Sequence, residues 1–541
     1  MYAPDVISSS HQGPDASPPG STRDASDSSP AAFVELDGGR LACSEYRRVV
    51  LGLAPVALAD RALADVQRQR LALLAHARAG GLAYGVNTGL GLFNRMTIAP
   101  ADEVAFQRQV LIGRANATGP PLSEPVVRGA MLLRLRGFLA GPAGVSAELC
   151  RFLAELLNRG WLPYVPAGPG GTAGEVAQLA HLFQTLVGEG LVVEDGRPLP
   201  ARDALARRGL EPIELGAKEG LALVNGAPLA PALAMVLAPR ARSALEHATL
   251  TGALTVALTG ASARPYSRRV GSLKGDRGQA HVHARMCELL AGCGELGEVL
   301  QAPVSLRVIP QVHGPALDAL DALERQLERE LGAVTDSPVW LEEEPSRGEP
   351  AGLYSTGNFH AGAITLALES LSLALAHVLN LLEKRLHRLL DSRFSGLSDQ
   401  LSPEPGVHSG VVGLHKQVLG LTADARALAL PGSLAALDAS SGQEDFEAHT
   451  LLAALRLEQL LERTELALAY ELVALRQARA LSSRPLARPL HEPLQRVAEL
   501  VEPVLADRSL APDVERVHAL VRSGELVGQS PAAPLTLTLR P

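Results

Sequence analysis

Aromatic residues make up only 3% of the 541-residue chain, and there are four cysteines, five methionines and two tryptophans. So few aromatic and β-branched anchors exclude an all-β sandwich or barrel, because pleated sheets are built largely from those residues. Cys43, Cys150, Cys287 and Cys293 form no CxxC pair and no zinc spacing, which excludes a disulfide framework and points to a reducing cytoplasm. An excess of positive charge is also lacking. The chain carries 50 Lys and Arg against 58 Asp and Glu, a net charge of −8, so no global field draws in nucleic acid or an anionic membrane. The start, MYAPDVISSS, has neither the basic block nor the apolar block of a secretory signal, and no uninterrupted apolar run of about 20 residues is present. No transmembrane helix is expected.

What is present is hydrophobic and helix-forming. Hydrophobic residues reach 47% and charged residues 20%, enough for a large core, and Leu and Ala lose little side-chain freedom in a helix. Residues 1–31 are Ser-, Pro-, Asp- and Gly-rich and read as a disordered extension. From Phe33 a short strand-like start is followed by a helix over Arg61 to Arg78 and a Gly-rich stretch from Tyr84 to Gly91. Further on, Leu375, Leu379, Leu382, Leu386 and Leu389 repeat at spacings of 4, 3, 4 and 3, and a second stripe runs through Leu457, Leu460, Leu461, Leu468, Leu472 and Leu475. Such helices bury their stripes by stacking in a bundle. The expected class is mainly α, a long central helical bundle with a smaller N-terminal region containing some strand. Its expected divisions are 1–31, an N-terminal region over 32–230, the bundle over 231–480 and a helical segment over 481–541.

Two loops break this pattern. Pro166-Ala-Gly-Pro-Gly-Gly-Thr-Ala-Gly174 has glycines that allow tight backbone, and Gln301-Ala-Pro-Val-Ser-Leu-Arg307 is broken by proline and polar at both ends. There is no Walker motif, dinucleotide fingerprint or HExxH. His281-Val-His283 reads as two surface histidines, since nothing nearby completes a metal-ligand set, and no metal is expected.

Taken in order, Tyr84-Gly-Val-Asn-Thr-Gly-Leu-Gly91, Phe106-Gln-Arg108, Gly174-Glu-Val-Ala-Gln-Leu-Ala-His181, Lys218-Glu-Gly-Leu-Ala-Leu-Val-Asn-Gly226, Ser305-Leu-Arg307 with Pro310-Gln311, Gly357-Asn-Phe-His-Ala361 and Gln443-Glu-Asp445 resemble the aromatic amino acid ammonia-lyases and aminomutases, with the histidine branch nearest. The motifs run from Tyr84 to Asp445, and the resemblance covers roughly residues 33 to 530. The resemblance implies the ammonia-lyase/fumarase-like superfamily fold and a homotetramer whose active sites each draw on three subunits, with a small molecule as substrate and neither nucleic acid nor membrane as partner.

The family's electrophile is a methylidene-imidazolone (MIO) group made from an Ala-Ser-Gly triplet whose serine loses water. Here the triplet aligns with Thr172-Ala173-Gly174, and Ala173 has no hydroxyl to lose. The expectation is therefore that no cofactor is present. Neighbouring positions diverge as well: Glu175 replaces the family's aspartate, Gln178 its proline, Val304 its tyrosine ahead of the Ser-Leu-Arg motif, and Arg114 the histidine of the histidine branch.

By the same resemblance Tyr84 is the catalytic base, and a phenol of ordinary pKa about 10 must be activated to act near neutrality. Arg307 is the carboxylate-binding arginine, whose planar fork suits that task. Asn225 and Gln301 are polar pocket residues, Phe359 packs near the electrophile, Glu444 lines the side-chain pocket, and Lys416, on a helix expected over Gly413 to Leu421, adds charge to it. Arg114 either adds a fixed positive charge for a more anionic ligand or pairs with Glu175 or Glu444. Without the electrophile, elimination needs a better leaving group than ammonia. A quaternary ammonium meets that condition, so the expected reaction is an MIO-independent β-elimination like that of ergothionase. The alternatives are a cofactor-free conjugate addition or cyclisation of an unsaturated acid, and a catalytically inactive binding homologue.

Overall fold

The structure, a computed structural model, describes residues 33–528 except 81, 169, 295, 298–300 and 435–437. The N-terminal extension over 1–31 lies outside the described residues. The strand-like start is real but short: β1 (Val34–Leu36) pairs in parallel with β2 (Val56–Leu58), with Val34 opposite Val56. Two antiparallel hairpins complete the strands, β3 (Leu191–Glu194) with β4 (Arg197–Pro200), and β5 (Val339–Leu341) with β6 (Gly352–Tyr354). The helix expected over 61–78 spans Asp60–Arg78.

Eight helices carry the core and the site. They are α1 (Glu103–Ile112), α2 (Val176–Phe183), α3 (Glu219–Val224), α4 (Leu229–Thr259), α5 (Ile309–Glu330), α6 (Gly362–Leu389), α7 (Val412–Leu428) and α8 (Thr450–Leu481). α4, α5, α6 and α8 pack on one another as the central bundle, with α7 against α6 and α8. The leucine stripes are its interior. Leu375, Leu379, Leu382, Leu386 and Leu389 on α6 are fully buried, and so are Leu457, Leu460, Leu461, Leu468, Leu472 and Leu475 on α8. One large hydrophobic cluster takes in residues from Val34 to Leu526, and a smaller one gathers Leu73, Ala83, Val86, Ala217 and Trp340.

Several local expectations need correction. α7 continues to Leu428, one further turn and more beyond Leu421, because Thr422 and Ala425 keep facing the bundle. His281 is exposed but His283 is buried against Gly271, so the pair is not a surface feature. Two helical stretches, Glu219–Thr259 and Asn358–Leu389, are long and apolar enough to cross a membrane. In the first, 89% of the apolar window is buried inside the protein, which marks it as a core element. In the second, the buried share is 50%.

Candidate functional site

Tyr84 sits in the glycine-rich stretch between the first long helix and α1. Gly85 has φ +67°, and a Cβ there would lie 2.3 Å from Leu221 Cδ2, so only glycine lets this loop press against α3. Gln107, buried on α1, fixes the loop from beneath: its Nε2 donates to the Gly85 carbonyl at 3.1 Å, and its Oε1 accepts from the Gly220 amide at 2.9 Å. The Tyr84 hydroxyl oxygen accepts from the Gly91 amide at 2.9 Å. A donor in that position stabilises negative charge on the oxygen.

The Thr172-Ala173-Gly174 triplet faces the same space. Gly174 has φ +83°, and a Cβ there would lie 2.6 Å from the Gly226 carbonyl oxygen. The Thr172 hydroxyl donates to the Gly174 carbonyl at 3.1 Å. The Ala173 amide donates to Glu444 Oε2 at 2.8 Å, and Glu444 Oε1 accepts from the Ser440 hydroxyl at 2.8 Å. Glu444 therefore ties the triplet to the 439–444 loop. Just after the triplet, Glu175 is buried at the start of α4, where its carboxylate accepts from the Leu229 and Ala230 amides at 2.6 and 2.7 Å. Burial pushes its pKa up to about 8 against the opposing pull of those two amides.

Together these elements enclose a cavity of about 670 Å³, lined by Tyr84, Arg114, Thr172, Ala173, Asn225, Phe359 and Glu444. Leu90, Phe93, Val176, Leu221 and Val224 form its apolar wall. Asn225 follows the last turn of α3 and lines the cavity, and its buried Oδ1 has no hydrogen-bond partner. Arg114 donates to the Val110 carbonyl at 3.4 Å; burial lowers its pKa, and Tyr84 and Glu444 pull it back. Of the two carboxylates open to it in sequence, Glu444 shares its cavity, whereas Glu175 is taken by amides.

Four expected residues are not brought to this cavity. Arg307 is half-buried and donates from Nε to the Ala302 carbonyl at 2.8 Å, and turning the Gln301 amide toward it lets the Gln301 oxygen accept from Nη1 and Nη2, each at 3.2 Å. Val304 is 59% exposed, and Lys416 is exposed on α7. None of the four lines the cavity of its own chain. Two contributors escaped sequence reasoning. Gln107 lies in a quoted motif, but only the fold shows that it bridges Gly85 and Gly220. Glu447 is buried three residues after Glu444 with Oε1 unpartnered, and burial followed by the Glu444 charge pushes its pKa up to about 7.

A family model described as aromatic amino acid lyase matches residues 41–503. A histidine ammonia-lyase of Anaeromyxobacter sp. (strain K) is 35% identical over 508 residues, covering 91% of this chain and 99% of its own. Among solved structures, a tyrosine aminomutase from Streptomyces globisporus superposes with a TM-score of 0.84 at 29% identity, covering 93% of this chain and all of its own. The ergothioneine-degrading ergothionase of Treponema denticola superposes at 0.86 with 24% identity, covering 92% and 100% of the two chains, which shows the fold alone.

These matches correct two expectations. Relatives aligned over nearly the whole chain are named histidine ammonia-lyases, which overturns the MIO-independent, ergothionase-like elimination and its two alternatives. The expectation of no cofactor is overturned on the same ground, because these relatives point to the MIO group of their family. Position 173 is where the residues do not fit that group as the resemblance describes it. Ala173 offers a methyl in place of a hydroxyl, and the Thr172 hydroxyl stands one position early, bonded to Gly174.

Proposed function

Because the chain belongs to the aromatic amino acid lyase family, we propose that it is an ammonia-lyase of the histidine type, taking an amino acid with an imidazole-like side chain to an α,β-unsaturated acid and ammonia. It is an enzyme of the carbon–nitrogen lyase class with a small-molecule substrate. The observation that carries the reading is the convergence of Tyr84, Arg114, Asn225 and Glu444 on one cavity. Tyr84, Asn225 and Glu444 each have a task there that their chemistry suits. The Tyr84 oxygen, as a phenolate held by the Gly91 amide, takes the β-proton and becomes a neutral phenol. Asn225 offers its open Oδ1 to a donor on the substrate. Glu444, anchored by Ser440 and the Ala173 amide, receives an imidazole N–H or the departing amine, and Phe359 and the apolar wall exclude water.

The carboxylate-binding fork is supplied by a neighbouring subunit. Arg307, Gln301 and Val304 lie together on a segment outside the cavity of their own chain, and α6 leaves Leu366 64% and Leu373 52% exposed, an apolar face suited to burial between copies. This supports a cytoplasmic homotetramer with sites shared between subunits, in keeping with four free cysteines.

The test is direct. Incubation with L-histidine and other aromatic amino acids should release ammonia and give the ultraviolet absorbance of a conjugated acid, and Tyr84→Phe should lower turnover by about 10²-fold or more. Absence of ammonia from every such amino acid overturns the reading.

A further inference from the structure

Glu383, His387 and His415 form a cluster for which the ammonia-lyase chemistry has no use. Phe359, at the cavity, lies just before the first turn of α6, whereas Glu383 and His387 occupy its last turns, a rise of about 35–40 Å along the helix axis. Glu383 and His387 stand four residues apart and share one face of α6, and His415 reaches them from the first turn of α7.

The geometry points to a binding site for a divalent transition-metal ion of the zinc class at Glu383, His387 and His415. One nitrogen from each imidazole and one carboxylate oxygen all lie within 4.8 Å of one another. Two imidazoles and a carboxylate are borderline donors, which favour zinc and its neighbours over the hard calcium and magnesium ions. The carboxylate is positioned in advance: its side chain is only 2% exposed, with Oε1 2.8 Å from His415 Nε2 and Oε2 2.7 Å from the Lys384 ammonium. His415 is 12% exposed, and the ring of His387 stacks on it with centroids 4.7 Å apart.

An ion enters by displacing the proton between His415 Nε2 and Glu383 Oε1; His415 binds as the neutral imidazole with its one ring proton on Nδ1, and any further proton passes to solvent. Lys384 keeps Oε2, so Glu383 binds through one oxygen. Tetrahedral bonds of about 2.1 Å set donors about 3.4 Å apart, a contraction that the exposed ring of His387 can supply by turning about its side-chain bonds. Three protein donors leave the fourth position to water. So far from the cavity the ion is a staple between α6 and α7 and takes no part in the elimination. As a hydrogen-bonded pair alone, His415 and Glu383 would need nothing from His387, and that difference makes the site testable.

The full-length protein without an affinity tag, stripped with a chelator and titrated with Zn²⁺, should bind one equivalent per protomer and melt at a higher temperature when loaded. His387→Ala and His415→Ala should each weaken binding by about 10-fold or more and remove the melting shift. His387 is exposed, so its variant should retain the wild-type circular dichroism and keep the comparison valid if His415→Ala fails to fold. Lys384→Ala should leave the stoichiometry at one. Failure of the wild type to take up zinc at micromolar concentration overturns the proposal, as does a His387→Ala variant that binds it equally well. Neither readout involves amino acid turnover, so the lyase reading can fail without touching this result.

Discussion

Gln107 does not line the cavity, yet the placement of the Tyr84 loop depends on it. Gln107→Leu would leave the Gly85 carbonyl and the Gly220 amide without their buried partner, at about 1–3 kcal/mol for each. A lower urea midpoint is expected, together with a turnover reduced by about 10-fold or more as the phenol loses its alignment. Wild-type turnover in this variant would show that the loop holds itself. Glu447 gives a pH signature. Its folded pKa of about 7 lies above the ordinary 4.5, so below that ordinary value the carboxyl is protonated in both states and its contribution is fully present. As the pH rises through 7 the unfolded chain has already ionised, and stability is lost. Glu447→Gln should flatten the fall in denaturation midpoint across that window, and an unchanged slope would assign the fall to another group. At this scale the sequence is informative about chemistry and silent about surroundings. Tyr84, Asn225 and Glu444 are legible because their motifs specify them, whereas the burial of Glu447 depends on what packs over it.

α8 is held from two sides by buried ion pairs. Arg240 on α4 meets Glu465 through Nε at 3.0 Å and Nη2 at 2.7 Å, and Arg385 on α6 meets Glu471 at 3.2 and 3.0 Å with both side chains fully buried. Thr251 on α4 accepts from the same guanidinium at 3.3 Å and His313 on α5 stands 3.5 Å from it, so four helices meet at Arg385. Glu471→Leu removes the countercharge and should cost about 3–5 kcal/mol in chemical denaturation, while Arg385→Met with Glu471→Leu should recover most of it, because the desolvation cost of both charges disappears as well. A double variant as unstable as the single one would show that the pair does more than neutralise itself. The leucine stripes of α6 and α8 are readable from their spacing, since a 4-3 repeat declares which face turns inward. It does not declare what that face meets. Arg385 and Glu471 look like ordinary polar residues in one dimension and become core residues only when the helices are assembled.

For the whole molecule, the placement of Arg307 outside the cavity of its own chain is the decisive fact. If neighbouring subunits complete one another's sites, Tyr84→Phe and Arg307→Ala should each be inactive alone, and co-expression of the two should restore a fraction of wild-type turnover. No recovery in purified mixed oligomers would mean that each chain works by itself. The resemblance implies this sharing, which a single folded chain does not display. Within the one chain Tyr84, Arg114, Asn225, Phe359 and Glu444 line one cavity, while Gln301, Val304, Arg307 and Lys416 do not.

The bond from the Ala173 amide to Glu444 joins positions 271 residues apart. During synthesis the N-terminal part of a chain emerges and folds first, so this amide has no partner until the last hundred residues are being made. The cavity is thus among the final features a nascent chain acquires. A ribosome stalled before residue 444 would carry the Tyr84 loop and the triplet but not the carboxylate that ties the triplet to the 439–444 loop.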